Sequence, residues 1–344
     1  MAAVSGAMAL GGNPSAVHGA GRAARRRLED AREGLATRFG RAAAEVVFTA
    51  GGTEANALAL HGFSAGRRLL AGATEHAAVR AFPHAPIPVR PDGQLDLAAL
   101  AALLQAGPPA LVAVMAANNE TGVLHPLAEV AALCQAYGAH LHVDAVQAAG
   151  RVAIPEGWNS LAISGHKLGG PMGAGALLLA PGLHPTPLIT GGGQERGRRG
   201  GTEPLPAILG MAAAAAAATP DLSPLRNAIE AGLPPGVRVA GAGAPRLGNT
   251  TYLVLPGIAS ERQVLWLDQG GIQVSAGAAC SSGKVARSHV LEAMGFAGDA
   301  GCGIRVSLPW NATADVPQRF LAAYHRMVAK LAARSARHAV ALSQ

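Results

Sequence analysis

The stretches "HLHVDAVQ" (140–147) and "SLAISGHK" (160–167) decide how this chain folds. Each is a short stretch with apolar residues at its centre, too short for a helix, and each runs into ionisable residues at its C-terminal end: Asp144 in the first, His166 and Lys167 in the second. Short β-branched runs of this kind are buried strands. The same texture recurs outward. "AEVVFTA" (44–50) is a strand, and "GGTEANALALHGF" (51–63) turns into a helix; "RRLLAGATEH" (67–76) is again strand then turn. "PALVAVMAANNETG" (109–122) is a buried strand ending in polar residues, and "LAEVAALCQAYGA" (127–139) has helical spacing. Strand–helix alternation with polar residues closing the strands describes an α/β fold on a mainly parallel sheet, with its ligand at the carboxyl edge.

The texture changes after the Gly/Arg-rich "ITGGGQERGRRGGTEP" (189–204) and the Ala-rich helix that follows. A second unit contains the strand "NTTYLVL" (249–255) and closes with the helix "PQRFLAAYHRMVAKLAARS" (317–335). The expected division is a large ligand-binding domain over 13–235 and a smaller α+β C-terminal domain over 236–344, with residues 1–12 associated with the latter. A length of 344 residues suits one large and one smaller core.

Composition excludes several classes. The net charge of +7 comes from arginines interleaved with acids, as in "GRAARRRLEDAREGLATRF" (21–39), which describes a solvated helix face. No aromatic stripe accompanies them for bases to stack on, so no direct nucleic-acid partner is expected. Three widely spaced cysteines, Cys134, Cys280 and Cys302, suggest neither a disulfide framework nor a metal cluster, and fit a reducing, cytoplasmic setting. The N-terminus lacks the basic start of a signal peptide. "LPAILGMAAAAAAATP" (205–220) is too short to span a bilayer and is expected to be a packed helix, with no membrane association.

Lysine is the scarcest informative residue: only Lys167, Lys284 and Lys330 occur. Lys330 belongs to the amphipathic closing helix and Lys284 follows Cys280. Lys167 stands at a strand end against the glycine-rich "SGHKLGGPMGAG" (164–175), where a surface lysine is the plain reading. A lysine at a sheet's carboxyl edge among small neighbours is also what a Schiff base to an aldehyde cofactor needs. The other strand ends agree with pyridoxal 5′-phosphate. Asp144 either caps a helix or holds a pyridine nitrogen protonated, making the ring an electron sink. Gln147 is within reach of a ring hydroxyl. "TAGGTE" (49–54) is either an ordinary tight turn or a phosphate cradle, in which Gly52 offers free N–H groups and Thr53 a hydroxyl. His76 is either structural or stacked on the ring.

The ordered segments "GNPSAVHGAGR", "VVFTAGGTEANALAL", "TEHAAV", "NNETGV", "HVDAVQAAG", "SGHKLGGPMGAGAL", "GGGQERGRRGGT", "VSAGAACSSG", "SHVLEAMG" and "IRVSL" span residues 12 to 308. Together they resemble the cysteine desulfurases, class V enzymes of the fold-type I pyridoxal phosphate group that serve nitrogenase and general iron–sulfur assembly. The resemblance implies a Schiff base at Lys167, Asp144 on the ring nitrogen, Gln147 on the ring oxygen and His76 on the ring face. It implies that Thr53, Ser164 and His166 bind the phosphate, joined by Thr202 from the partner subunit of a homodimer. Asn118 or Asn119, with Asn119 nearest the family pattern, would hold the substrate with Arg305, whose planar fork suits a carboxylate.

On this resemblance Lys167 moves the Cα proton of L-cysteine, and the Cys280 thiolate attacks the substrate sulfur, leaving a persulfide and releasing alanine. Gly277, Ser281, Ser282 and Gly283 would give Cys280 mobility, and Lys284 would lower its pKa. Cys134 is expected in the core, and no role is assigned to Cys302. The persulfide would pass to an iron–sulfur scaffold or another sulfur-acceptor protein.

The chain departs from the pattern in three places. The family's opening Asp-x-x-Ala-Thr-Thr-like strand has no counterpart, "GGTEANA" lacks the second amide or acidic residue usual after Thr-Glu, and Pro309 stands where glycine is common. Two further functions therefore stand beside a desulfurase. One is a selenocysteine lyase or other class V enzyme that does not depend on Cys280. The other is a catalytically weakened, cofactor-binding sulfur-relay or regulatory protein.

Overall fold

In the computed structural model, which describes residues 1–107, 109–217, 219–277 and 287–342, the apolar runs become strands. Seven of them form one sheet: β1 (Val46–Thr49), β2 (Arg68–Gly72), β3 (Ala85–Ile87), β4 (Ala110–Met115), β5 (His140–Asp144), β6 (Ser160–Ser164) and β7 (Gly175–Leu179). Their order is β1-β7-β6-β5-β4-β2-β3. The run β6-β5-β4-β2-β3 is parallel, whereas β7 is antiparallel to both β6 and β1. The reversal has a simple cause. Residues 165–174 join β6 to β7, and a parallel crossover needs about a dozen residues or more, so the chain turns back instead. β4 and β7 are buried along their whole length, which is why they read as unbroken apolar runs; β6, equally buried, carries serine at each end.

The accompanying helices are α1 (Ala2–Met8), α2 (Gly19–Arg38), α3 (Gly52–Phe63), α4 (Ala77–Arg80), α5 (Leu97–Gln105), α6 (Leu127–Ala136) and α7 (Leu205–Ala216). The Ala-rich run is α7, packed on α1 and α2. A Cβ at Gly210 would lie 2.6 Å from Pro171 Cδ and 2.9 Å from Val4 Cγ2, so the glycine is what lets α1 approach. The first residues thus join the sheet-bearing unit rather than the small domain with which the sequence associated them.

These elements form one compact unit, residues 1–88, 95–117 and 125–219; residues 89–94, 118–124 and 220–344 form a second. The main, C-terminal part of the second therefore begins at Pro220, just after α7, where the sequence placed the change near 235. It contains α8 (Ser223–Ala231), β8 (Arg238–Val239), β9 (Thr250–Val254), α9 (Ser260–Gln269), β10 (Ser275–Ala276), α10 (His289–Ala293), β11 (Gly303–Ser307) and α11 (Val316–Leu342). Its sheet, β10-β11-β9-β8, is antiparallel throughout. Leu253 and Ile304 of that sheet pack with Phe320, Tyr324 and Met327 of α11, where the two rings stack at 5.3 Å. Among the described residues no helix is long and apolar enough to cross a membrane.

One buried ion pair fixes the Gly/Arg-rich segment to the first sheet. Arg32 of α2 donates from both terminal nitrogens to Glu195, at 2.7 and 2.8 Å, and Glu195 also accepts the Phe48 N–H at 2.9 Å. Glu195 and Arg196 both take positive φ, 50° and 59°, a conformation uncommon in residues other than glycine. The clasp is what holds them there. Removing the carboxylate leaves the buried Arg32 guanidinium with only the partly exposed Glu29 as counter-ion, at 3.1 Å, and Glu195→Ala is expected to destabilise the first unit by about 3 kcal/mol. Urea unfolding followed by circular dichroism checks this; an unchanged midpoint would show that the segment is held by other contacts.

Candidate active site

The first unit gathers most of the expected groups along the carboxyl edge of its sheet. Asp144 closes β5 and is buried, only 6% exposed. Its Oδ1 accepts the Val146 N–H at 3.0 Å and its Oδ2 accepts from Asn56 Nδ2 of α3 at 2.7 Å. The turn-capping and site readings of Asp144 are thus compatible, since one oxygen organises the turn while the other meets α3. Burial pushes its carboxyl above the usual range, and the hydrogen bonds and nearby His76 oppose that rise. His76 caps α4, its Nδ1 accepting the Ala78 N–H at 3.1 Å, so its place beside Asp144 is set by the helix start.

Lys167 ends the single turn Gly165–Lys167 that follows β6. An unforeseen residue ties this turn to the one after β5: Arg151 donates to the Gln147 carbonyl at 2.8 Å and to the Lys167 carbonyl at 2.6 Å. A guanidinium fork suits two carbonyls on separate turns, and it fixes the backbones that carry Gln147 and Lys167.

The Gly-Gly-Thr junction starts α3, and its N–H groups stand at a helix N-terminus. A Cβ at Gly52 would meet Val146 Cγ2 at 2.5 Å and Ser164 Cβ at 3.4 Å, so the junction lies against both the Asp144 turn and the end of β6. A Cβ at Gly175 would lie 2.6 Å from the Gly51 carbonyl carbon. Ser164 Oγ and His166 Nδ1 lie 2.9 Å apart. Burial and the neighbouring Lys167 lower the His166 pKa, which favours the neutral ring. Thr53 is exposed, as is Thr202 at the end of the Gly/Arg-rich segment. Arg199 of that segment pairs with Glu54, Nε to Oε1 at 2.8 Å, linking it to the first turn of α3.

In the second unit Arg305 lies on β11 opposite Tyr252 and Ser275. It donates to the Asn119 carbonyl at 2.9 Å and to Ser275 Oγ at 3.3 Å. The two adjacent asparagines differ in role. Asn118 Oδ1 accepts the N–H groups of Glu120 and Thr121, both at 2.9 Å, and so builds the turn. Asn119 Oδ1 and Arg305 Nε are both buried without a partner among the described residues. An acceptor and a donor left this way suit the ammonium and carboxylate ends of an amino acid.

Cys280, Lys284, Ser281, Ser282 and Gly283 lie outside the described residues. Gly277 is described, and its role differs from the mobility expected of it. A Cβ there would lie 2.1 Å from Tyr252 Oη and 2.6 Å from Glu120 Oε2, so the glycine permits close packing. Ser288 donates to the same Glu120 oxygen at 2.6 Å and caps α10, accepting the Leu291 N–H at 3.1 Å. Cys134 is buried, and its thiol is pushed up to about 12 by burial, which makes it a core residue.

Sequence reasoning missed Asn56, Arg151, His142, Ser160 and Glu75. Glu75 is fully buried and accepts the Met115 N–H at 2.7 Å; burial and the charge of Asp144 hold its carboxyl well above the usual range. His142 carried a usable signal. Residues two apart on a strand share a face, so His142 and Asp144 had to lie on the same side of β5.

Residues 7–320 match the aminotransferase class-V family. A cysteine desulfurase of Cereibacter sphaeroides is 41% identical over 332 residues, covering 89% of this chain and 86% of that protein. An IscS-like cysteine desulfurase of Mycobacterium tuberculosis is 38% identical over 331 residues, covering 86% of this chain and 84% of that protein. The crystal structure of a NifS-like protein from Rickettsia africae superposes with a TM-score of 0.88 at 32% identity, covering 94% of each chain.

Proposed function

The chain belongs to the class-V aminotransferase family and, within it, to the cysteine desulfurases, and from that premise we propose how its residues divide the work of taking sulfur from L-cysteine. The observation that carries the assignment is the buried Asp144 carboxylate, held by two N–H donors on a turn that Arg151 couples to Lys167. These residues fit pyridoxal 5′-phosphate. The start of α3, where glycine leaves room, would take its phosphate, the buried Asp144 carboxylate its pyridinium nitrogen, and Lys167 at the sheet edge its aldehyde.

When bound, that cofactor supplies an electron sink for the pair released at the substrate's Cα. Asp144 holds the proton on the ring nitrogen, Gln147 engages the ring oxygen, and His76 covers the ring face. Gly52, Thr53, Ser164 and His166 take the phosphate, with Thr202 of a second copy completing it in a homodimer. Lys167 removes the proton from substrate Cα. Arg305 and Asn119 of the second unit bind the amino acid's carboxylate and amine. Cys280 receives the sulfur: an S–S bond forms to its thiolate, the substrate's Cβ–S bond breaks, and the electron pair left on carbon is protonated to give alanine. The persulfide then passes to an iron–sulfur scaffold or other acceptor protein in the cytoplasm, a reading supported by the scarcity of cysteine and the absence of a disulfide pattern.

The test is to incubate the purified protein with L-cysteine and a thiol reductant and to measure alanine and sulfide. Equimolar release of both is expected; no alanine above a cysteine-free control would overturn the assignment. Arg305→Ala is expected to raise KM about 10- to 100-fold, the worth of charge-assisted hydrogen bonds to a carboxylate. Arg305→Lys should fall between, because it keeps the charge and loses the fork. Unchanged KM in both variants would move carboxylate binding elsewhere.

A further inference from the structure

We propose that Ser160, His142 and Asn56 form a one-way hydrogen-bond relay that positions the Asp144 carboxylate for the cofactor's ring nitrogen, an inference that rests on the pyridoxal phosphate reading. The relay crosses three elements. Ser160 Oγ of β6 lies 2.9 Å from His142 Nδ1 of β5, His142 Nε2 lies 2.8 Å from Asn56 Oδ1 of α3, and Asn56 Nδ2 lies 2.7 Å from Asp144 Oδ2. Ser160, His142 and Asn56 are 1%, 0% and 1% exposed, so solvent cannot replace any of these bonds.

The direction follows from what each atom can do. An ionised carboxylate only accepts, so the Asn56 amide turns its nitrogen toward Asp144 and its oxygen toward His142. That oxygen also only accepts, so His142 carries its proton on Nε2. Complete burial lowers the His142 pKa to about 3, which keeps the ring neutral and leaves Nδ1 bare. The Ser160 hydroxyl therefore donates to it. Every donor points toward Asp144, and a flipped Asn56 would set its oxygen against the carboxylate and its NH2 against the imidazole N–H.

A purely structural network has no reason to end at a buried carboxylate whose ionisation burial opposes. Burial and the charge of Asp144 disfavour ionisation of the nearby Glu75, whereas His76 is the nearby group that favours the charge of Asp144. Asn56 on Oδ2 and the Val146 N–H on Oδ1 together stabilise the anion and stop it rotating. The carboxylate's remaining lone pairs are then left for the cationic ring nitrogen that the pyridoxal phosphate reading places there. In such a chain each bond polarises the next, so a change at Ser160 is felt at Asp144.

The test compares the full-length protein loaded with pyridoxal 5′-phosphate and with its 1-deaza analogue, in which CH replaces the ring nitrogen. Cofactor dissociation constants are measured by absorbance after dialysis. Asn56→Leu and His142→Phe are expected to weaken pyridoxal phosphate binding about tenfold or more while changing analogue binding less than twofold. His142→Gln, which restores a donor to Asn56, should recover much of the loss. Ser160→Ala removes only the last donor and should weaken pyridoxal phosphate binding about two- to threefold with the same discrimination. It decides the matter if the larger substitutions prevent folding. Equal losses for both ligands, or no loss for either, would overturn the relay. A parent protein that binds neither ligand would overturn the pyridoxal phosphate reading itself, and the relay with it.

Discussion

Lys167→Ala is expected to abolish alanine formation from L-cysteine, by about a thousandfold or more, and to leave a colourless protein beside a yellow parent. On the proposed reading the side chain would have two duties in one place: a Schiff base to the cofactor's aldehyde and removal of the Cα proton. General acid–base catalysis alone contributes about 10²–10⁴-fold, and the anchoring is lost in addition. The substitution should not unfold the chain. Lys167 is only partly buried, and the main-chain bond that fixes its turn, from Arg151 to its carbonyl, survives truncation of the side chain. Matching circular dichroism melts of parent and variant make the activity loss interpretable. A variant that keeps the parent's colour would remove Lys167 from the chemistry.

That prediction rests on a residue the sequence placed by itself, and the contrast with what the sequence hid is physical. Lys167 and Asp144 each follow a short apolar run, and a parallel sheet delivers the ends of such runs to one edge. The buried strand and its terminal charge are written consecutively in the chain. Asn56, His142 and Ser160 are not. Their bonds join three elements, and no periodicity within α3 announces that one amide turns inward to a carboxylate on β5. Arg151 was hidden differently, because its partners are main-chain carbonyls, which leave no mark on the sequence. The antiparallel β7 could have been inferred from the shortness of residues 165–174. Gly277 shows the opposite hazard: a glycine among small polar residues suggests freedom, while its neighbours Tyr252 and Glu120 leave no room for a Cβ.

Cys280→Ala is expected to keep the cofactor and its colour, to form no protein-bound persulfide, and to lose alanine formation by about a hundredfold or more. The sulfur needs an acceptor, and the other thiols are poorly suited to the task. Burial pushes the Cys134 thiol to about 12, so almost no thiolate exists near neutral pH. The Cys302 carbonyl accepts from both the Leu255 N–H and Gln263 Nε2, which fixes that residue's backbone within the second unit. Cys302→Ser should therefore behave like the parent and serves as the control for general loss of a thiol. The described residues on either side of 278–286 share one anchor: Gly277 abuts Glu120, and Ser288 donates to it. Two outcomes would redirect the assignment. Undiminished alanine formation in Cys280→Ala means that carbon–sulfur cleavage proceeds without a thiol acceptor, which is lyase chemistry. A parent that binds the cofactor and takes the outer sulfur of a persulfide donor onto Cys280, the donor leaving as its thiolate, yet makes no alanine from L-cysteine, means that the chain relays sulfane sulfur delivered by another protein.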